Sequence, residues 1–225
     1  MKYDKPYIAP ILVVDAVIFQ LVNNALEVVL VKRSNDPFQG AWALPGGYNP
    51  EGETTRDALQ RIVKEKAGVN LSDDLSYVEQ LFTFDTVARD PRGHAVSVTY
   101  MGCGREFTFG GGEAHTASFP VSSLPELAYD HADIIHYAHE RLKSKLTYTN
   151  AVYAFLPKKF TLTELQNAYE AILGRELDKR NFRKKFLGLD LIHETGEMKR
   201  EGAHRPAQLY AFNSSSLETL SRSFD

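Results

Sequence analysis

The 225-residue sequence lacks the features that mark secreted and membrane proteins. It has a single cysteine, Cys103, which excludes an intramolecular disulfide, whereas small secreted domains usually depend on several. No long apolar segment follows a basic start, and the first hydrophobic run, residues 11–19, is short and contains Asp15. Neither a signal peptide nor a membrane span is expected. These absences predict a soluble, cytoplasmic protein without a membrane partner.

A large net charge is also lacking, but the charges are unevenly distributed. The formal total is −3. Residues 1–145 carry 14 Lys and Arg against 19 Asp and Glu, a net of −5, whereas residues 146–212 carry 11 against 8, a net of +3. Residues 179–185 alone hold five positive charges. Such a run indicates either a solvated helix face or a surface for a polyanion such as nucleic acid.

The first part of the chain, residues 1–146, alternates strand and helix patterns. A helix is predicted from about Thr54 to Ala67, where Gly68 ends it. A second long helix is predicted at 131–145. Strands are predicted at residues 11–20, 25–33, 77–84, 95–101, 105–109 and 117–121. This order predicts an α+β domain with a mixed β-sheet between helices.

The second part, residues 147–225, is predicted to begin with a linker and continue with two short helices. Thr161 and Glu164 fit a capping box at the start of the first helix. Asp178 is the expected N-cap of the second helix, in which Phe182 and Phe186 form a buried stripe. Strand patterns at 191–194 and 207–212 flank a charged turn, and the serine-rich C-terminus is expected to fray.

Helix, short turn, helix and two-stranded ribbon is the order of a winged helix-turn-helix. In that fold the N-terminal residues of the second helix enter the major groove of DNA. Cations there oppose the helix macrodipole by about 0.3–1 kcal/mol each, so phosphate is a compensating partner. We therefore predict binding to double-stranded DNA, with Asn181 and Arg183 contacting base edges. The predicted DNA-binding residues are Lys179, Arg180, Asn181, Arg183, Lys184, Lys199, Arg200, His204 and Arg205.

Residues 47–69 resemble the Nudix box, the motif of a diphosphate-cleaving metal site. The box follows the pattern Gly, five residues, Glu, seven residues, Arg-Glu-aliphatic-x-Glu-Glu-x-Gly-aliphatic. Five of its positions are kept, as Gly47, Glu53, Arg61, Glu65 and Gly68. Two carboxylates are replaced, by Ile62 and Lys66. The chain thus resembles a Nudix domain that keeps its frame without most of its metal ligands.

The two replacements bear directly on metal binding. Positions 62, 65 and 66 are three and four residues apart, which places them on one helix face. Three carboxylates there would hold Mg²⁺, but the formal charge is zero instead of −3. We predict no metal site, no cofactor and no catalytic residue. Lys66 is predicted either to pair with diphosphate oxygens of an uncleaved ligand or to point into solvent.

Four further segments resemble, in order, those of Nudix proteins that act on ADP-ribose; they are residues 32–38, 42–47, 89–93 and 127–131. Their arginines suit a diphosphate because a guanidinium can donate two parallel hydrogen bonds to phosphate oxygens. Phe38 is a candidate to stack on a base. His131 is expected to be a structural, hydrogen-bonded residue. The predicted ligand-binding residues are Arg33, Phe38, Gly46, Gly47, Glu53, Arg61, Glu65, Lys66, Arg89 and Arg92.

A degenerate Nudix domain followed by a basic winged helix is similar to the Nudix-related transcriptional regulators of NAD metabolism, the NrtR family. The resemblance implies a homodimeric repressor that releases operator DNA when ADP-ribose or a related nucleotide fills the Nudix pocket. A sugar such as arabinose is an alternative effector, because sister regulators of this architecture respond to sugars. Two other functions remain open, namely an active ADP-ribose pyrophosphatase and a winged helix that binds protein.

Overall fold

The computed structural model describes residues 7–105, 107, 112, 115–200 and 206–220. The predicted α+β fold is confirmed in the first part of the chain, where a mixed seven-stranded sheet lies between helices. Its strands are β1 Ile11–Val22, β2 Ala25–Lys32, β3 Trp42–Ala43, β4 Gly46–Tyr48, β5 Tyr77–Phe84, β6 Ala95–Cys103 and β7 Thr116–Pro120. The predicted strand at 105–109 falls largely outside the described residues.

Strand β1 is the centre of the sheet. It pairs in parallel with β6 and antiparallel with β2 and β4. Its residues 13–20 are buried without alternation, which is the pattern of a strand covered on both faces. Val14, Ala16 and Ile18 join one hydrophobic core, and Val17 and Phe19 join the other. The sequence therefore places a helical layer on each side of this strand.

The helix of the Nudix-like box covers one face of the sheet. Helix α1, Thr55–Ile62, starts at the N-cap Thr54 and continues as a π-helical turn, Val63–Ala67. Gly68 ends it with a φ of +69°, as a left-handed C-cap. The predicted limits of this helix are confirmed. The wider π turn was not predicted, and it changes the directions in which the last side chains of the box point.

The other face of the sheet carries helix α2, His131–Tyr148. At a rise of 1.5 Å per residue this helix is about 27 Å long. It packs on α3, Leu162–Leu173, which is followed by α4, Lys179–Leu187. The capping box of Thr161 and Glu164 and the N-cap Asp178 are both present, as predicted. No helix in the described residues is long and apolar enough to cross a bilayer.

The predicted linker, residues 148–159, has a packed middle part and exposed lysines at its end. Residues Ala151–Phe155 form a 3-10 helix whose apolar side chains are buried. One continuous hydrophobic cluster includes Phe19 of the sheet, Phe155 of this turn and Phe186 of α4. The two parts of the chain therefore share a hydrophobic core.

The C-terminal ribbon also differs from expectation. Strands β8, Ile192–Lys199, and β9, Ala207–Phe212, pair antiparallel. The charged turn predicted for residues 196–206 starts later than expected, because β8 continues to Lys199 through an irregularity at Gly196, whose φ is +76°. The expected fraying is wrong through residue 220, because Asn150 holds the chain at Ser216 and Glu218, and Leu220 bonds to Tyr148.

Candidate functional site

A cavity of about 360 Å³ opens where strands β1 and β2 meet the loops at 33–36, 44–48 and 89–92 and the start of α2. Its wall is rich in charge. Five cationic side chains line it, namely Lys32, Arg33, Lys66, Arg89 and Arg92. Three carboxylates also line it, namely Asp15, Asp36 and Asp90, so the net charge is +2. A cavity of this size and sign suits a small anionic ligand.

The floor of the cavity is built around the buried carboxylate of Asp15. It accepts a hydrogen bond of 2.6 Å from the hydroxyl of Ser97. The Arg89 guanidinium lies 3.5 Å away. Gly46 packs so closely that a Cβ there would lie 1.9 Å from an Asp15 oxygen, which excludes any other residue at position 46. Gly46 thus has a steric role in the wall of the cavity.

Arg89, predicted to bind ligand, is held by the protein itself. Its side chain is 4% exposed and donates two hydrogen bonds, of 2.9 and 2.8 Å, to the carboxylate of Asp130. Burial disfavours its charge, but the hydrogen bonds to Asp130 and the negative charges of Asp15 and Asp130 together outweigh that effect, so the pKa of Arg89 is raised. Arg89 lines the cavity and joins the loop at 89–92 to the start of α2.

His131 has the structural role predicted for it. The backbone N–H of Leu44 donates a 2.9 Å hydrogen bond to Nδ1, so the ring proton belongs on Nε2, which lies 3.9 Å from Asp15. Burial lowers the pKa of His131. The neutral ring therefore ties the 44–47 loop to the first turn of α2.

The remaining acids of the Nudix-like box lie outside the cavity and share one partner. Arg61 donates hydrogen bonds of 2.9 and 2.7 Å to Glu53 and lies 3.6 Å from Glu65. The hydrogen bonds from Arg61 hold the pKa of Glu53 below its usual value. None of these three predicted ligand-binding residues is among those that line the cavity. These contacts are those of an ion pair that supports the loop of the box.

The expected common face of positions 62, 65 and 66 holds for Ile62 and Lys66, which both lie against Gly47, but not for Glu65. Ile62 is buried, 1% exposed, and lies beneath Gly47. Lys66 lines the cavity, and its Nζ donates a hydrogen bond to the carbonyl oxygen of Gly46. Glu65 points outward, with 49% of its side chain exposed. Of the two alternatives for Lys66, the structure has the ammonium in the cavity wall.

The mouth of the cavity contains a residue that was not predicted, Tyr129. Its ring lies 4.9 Å from the Arg33 guanidinium and packs edge-on against Phe38 at 4.8 Å. Phe38 itself is 43% exposed and lies beside the mouth. Residues 127–131 were singled out only as a family-like segment. The sequence does not indicate that this tyrosine lies at a cavity, because its position depends on loops that are distant from it in the chain.

Arg92 completes the mouth. It donates hydrogen bonds of 3.0 and 2.6 Å to Asp90, and one of 3.0 Å to the hydroxyl of Tyr48. These hydrogen bonds raise the pKa of Arg92. Arg33 differs, since its side chain donates to two backbone carbonyl oxygens, those of Pro37 and Asn35. Within the described ranges, no cluster of three or more His, Cys, Asp and Glu residues could hold a metal ion.

Helix α4 presents the basic surface. Phe182 and Phe186 are buried against Tyr169, as predicted. The exposed basic residues of α4 are Lys179, Arg180, Lys184 and Lys185. Arg183 lies on one flank and donates a 3.1 Å hydrogen bond to Thr163, while Asn181 faces a second cavity on the other flank. The two residues predicted to contact bases together thus lie on different sides of the helix.

The wing residues have mixed environments. Lys199 forms a 2.8 Å ion pair with Glu164, the acid of the capping box, which joins the ribbon to α3. Arg200 is exposed. His204 and Arg205 lie outside the described residues, so their predicted contacts stay predictions.

The mixed sheet with its cavity is followed by two helices and a two-stranded ribbon. This protein is therefore of the class in which a Nudix domain is joined to a winged helix. Comparison with known families agrees. Residues 12–138 match the NUDIX domain, and residues 152–212 match the NrtR DNA-binding winged helix domain. The chain belongs to the NrtR family.

Three relatives illustrate this membership. An ADPR responsive transcriptional repressor of Acinetobacter baylyi is 36% identical over 94% of this chain and 86% of its own length. The crystal structure of Shewanella oneidensis NrtR with a 27mer DNA has a TM-score of 0.77 and 33% identity, covering 95% of this chain and 99% of that one. An ADP-ribose pyrophosphatase of Methanocaldococcus jannaschii is 34% identical, over 60% of this chain and 76% of its own.

The Shewanella protein has also been solved as its Nudix domain in complex with ADP ribose. That structure has a TM-score of 0.55 and 35% identity, and covers 60% of this chain and 90% of that one. The Acinetobacter repressor and the Shewanella NrtR extend across both domains of this chain, whereas the pyrophosphatase matches only part of it.

Proposed function

We propose that this protein is a DNA-binding transcriptional repressor whose Nudix domain binds ADP-ribose, or a related nucleotide diphosphate, without cleaving it. The observation that carries the proposal is Lys66. This cation lies in the wall of a cavity of net charge +2, at a position where the Nudix box has a carboxylate. A diphosphate carries about two negative charges, so such a wall complements it without a bridging metal ion.

Loss of cleavage follows from the same residues. Mg²⁺ needs oxygen ligands that converge on it, and it is the metal ion that neutralises charge as a phosphate bond breaks. Here Ile62 offers no oxygen, and Glu53 and Glu65 are both near Arg61. A positive side chain at position 66 also repels a divalent cation, since unit charges 4 Å apart interact by about 4 kcal/mol at an effective dielectric of 20.

The DNA-binding surface is the exposed face of α4 together with the wing. Arg180 and Lys184 lie on the side of α4 opposite the buried Phe182 and Phe186, so they are the residues to enter the major groove. Lys179 and Arg200 are exposed beside them and suit phosphate contacts. Arg183, Lys199 and Asn181 are assigned supporting positions at the edge of this face.

A homodimer is part of the proposal, because one winged helix contacts few base pairs. Two copies related by a two-fold axis would bind half-sites about 34–36 Å apart, or a multiple of that distance. A small change in the spacing or angle of the two α4 helices then breaks the match to DNA. Light scattering of the free protein tests this point, and a monomer at all concentrations, with and without DNA, would contradict it.

Helix α2 is the physical connection between ligand and DNA. At its first turn, Asp130 and His131 contact the cavity wall. Two turns later, a ring nitrogen of His139 lies 2.7 Å from the carbonyl oxygen of Ile172 in α3. A ligand that moves Arg89 or the 44–47 loop therefore displaces a rigid element packed on the winged helix. Effector and DNA affinity are then reciprocally coupled.

The deciding experiment titrates ADP-ribose, NAD and arabinose against a complex of the protein with its operator, and analyses each ligand afterwards for hydrolysis. We expect ADP-ribose to weaken DNA binding by about 5- to 150-fold, the usual range of such coupling, and to be recovered intact. A response to arabinose alone would favour the sugar sensor. An absence of response to all three would contradict the sensor.

A separate experiment tests hydrolysis and includes a control variant. Wild-type protein is incubated with Mg²⁺ and ADP-ribose beside the double variant Ile62→Glu, Lys66→Glu, which restores both carboxylates. Turnover by the wild type near 1 s⁻¹ or above, the low end for ordinary enzymes, would identify a pyrophosphatase instead. We expect none from the wild type and Mg²⁺ binding by the folded double variant.

A further inference from the structure

Tyr129 has a backbone conformation that tyrosine rarely adopts. Its φ is +57°, in the left-handed region, where a residue with a Cβ is destabilised. Both neighbours are fixed. The N–H of Ala128 donates a 2.8 Å hydrogen bond to the carbonyl oxygen of Trp42, and the Asp130 carboxylate is held by Arg89. Strain that the surroundings sustain in this way is concentrated at functional positions.

The strained backbone directs the Tyr129 ring into the mouth of the cavity, between two loops. The guanidinium of Arg33 lies over the ring at 4.9 Å, and that of Arg92 at 5.9 Å. Phe38 contacts the same ring with its edge at 4.8 Å. Because guanidinium groups already lie over the ring, a base cannot stack there without displacing them. The part of Tyr129 left to contact a ligand is its hydroxyl.

This hydroxyl is buried, and no hydrogen-bond partner is found for it in the described part of the chain. A buried polar atom in that state is uncommon, and it indicates a missing group such as a ligand. Burial also raises the pKa of Tyr129, so the hydroxyl keeps its proton and can donate it. It is therefore a hydrogen-bond donor in the wall of an anion-compatible cavity, on a ring that two cationic side chains contact.

We propose that the Tyr129 hydroxyl donates a hydrogen bond to a diphosphate oxygen of the effector. The inference rests on the proposed function and adds a residue to its site. A diphosphate oxygen only accepts hydrogen bonds, and it is attracted to Arg33 and Arg92. In the proposed complex the hydroxyl and both guanidiniums therefore contact the same anion.

The test is Tyr129→Phe, which keeps the ring and its guanidinium contacts and removes one oxygen. The matched control is Tyr137→Phe, an exposed tyrosine of α2 that packs on Phe82 and Phe84 and does not line the cavity. Calorimetric titration with ADP-ribose is expected to give about a tenfold or greater loss of affinity for Tyr129→Phe, the usual effect of deleting a hydrogen bond to a charged group, and no loss for the control.

A second readout locates the contact on the ligand. We expect the ³¹P resonances of bound ADP-ribose to shift between wild type and Tyr129→Phe, and to be unchanged by Tyr137→Phe. Equal or tighter binding by Tyr129→Phe overturns the inference, as does weaker binding with unshifted ³¹P resonances. These results differ from failure of the proposed function, in which the wild-type protein itself would not bind ADP-ribose. Melting temperatures of both variants confirm that each is folded.

Discussion

The Nζ of Lys66 donates a hydrogen bond to the backbone carbonyl oxygen of Gly46, across the turn that begins the Nudix-like box. An ammonium is thereby fixed in the wall of the cavity, beside Gly47 and the buried Ile62. Gly46 in turn must be glycine because Asp15 lies against it. Position 66, where the Nudix box has a carboxylate, is thus part of the cavity wall.

Reversing the charge of Lys66 is expected to abolish the anion site. Lys66→Glu changes the charge of the cavity wall from +2 to zero, so we expect ADP-ribose affinity to fall by at least about tenfold. The control is Lys64→Glu, an exposed lysine of the same π turn that does not line the cavity. Isothermal titration compares the two. Equal losses in both variants would show a general charge effect and contradict a specific role for Lys66.

The exposed face of α4 is expected to account for the salt dependence of DNA binding. Each phosphate contact contributes about 0.9 to the slope of log affinity against log salt. Lys179→Ala should reduce that slope by about this amount, whereas Arg56→Ala, an exposed cation of α1, should not. Fluorescence anisotropy at several salt concentrations measures the slope. Salt-insensitive binding by the wild type would favour a winged helix that binds protein.

The coupling between ADP-ribose and DNA through α2 can be measured separately from the affinity for each of them. His139→Ala removes the contact with Ile172 and should reduce the effect of ADP-ribose on DNA affinity, while each ligand alone binds nearly as before. His136→Ala, an exposed histidine one turn earlier, is the control. DNA affinity is measured with and without saturating ADP-ribose. Unchanged coupling in His139→Ala would mean that the signal travels by another route.

The stability of the protein is expected to fall in mild acid because of His131. Burial lowers its pKa in the folded state below the unfolded value of 6.5. The unfolded chain therefore binds this proton first, and the stabilisation that is complete above pH 6.5 is lost as pH falls below it, by at most about 1.4 kcal/mol per pH unit. His139 is shifted the same way and adds to the effect.

This expectation is checked by denaturant titrations of wild type and His131→Asn between pH 5 and 7, a range that includes the unfolded-state histidine pKa of 6.5. The variant should be less stable than wild type at pH 7, because it loses the buried hydrogen bond that the Leu44 N–H donates. Its free energy of unfolding should also fall less steeply as the pH is lowered from 7. Parallel pH profiles would mean that His131 is protonated equally in the folded and unfolded states.

Predictions from sequence succeeded where neighbours in the chain decide the structure. The caps at Thr161 and Asp178 and the C-cap Gly68 follow from local hydrogen bonding and backbone preference, and all three are present. They failed where distant residues decide it. The partner of Arg89, Asp130, lies 41 residues away and was not predicted, whereas phosphate binding by Arg89 stays a prediction.

The sequence by itself determined the succession of helices and strands, the basic character of α4 and the absence of two box carboxylates, because these depend on residue type and short-range order. Only the tertiary structure decided which cations line the cavity, that Ala151–Phe155 belong to a shared core, and that Tyr129 lies at the mouth. The physical reason is that the partners of a side chain are set by packing between segments far apart in sequence, as when Lys66 donates a hydrogen bond to the carbonyl oxygen of Gly46.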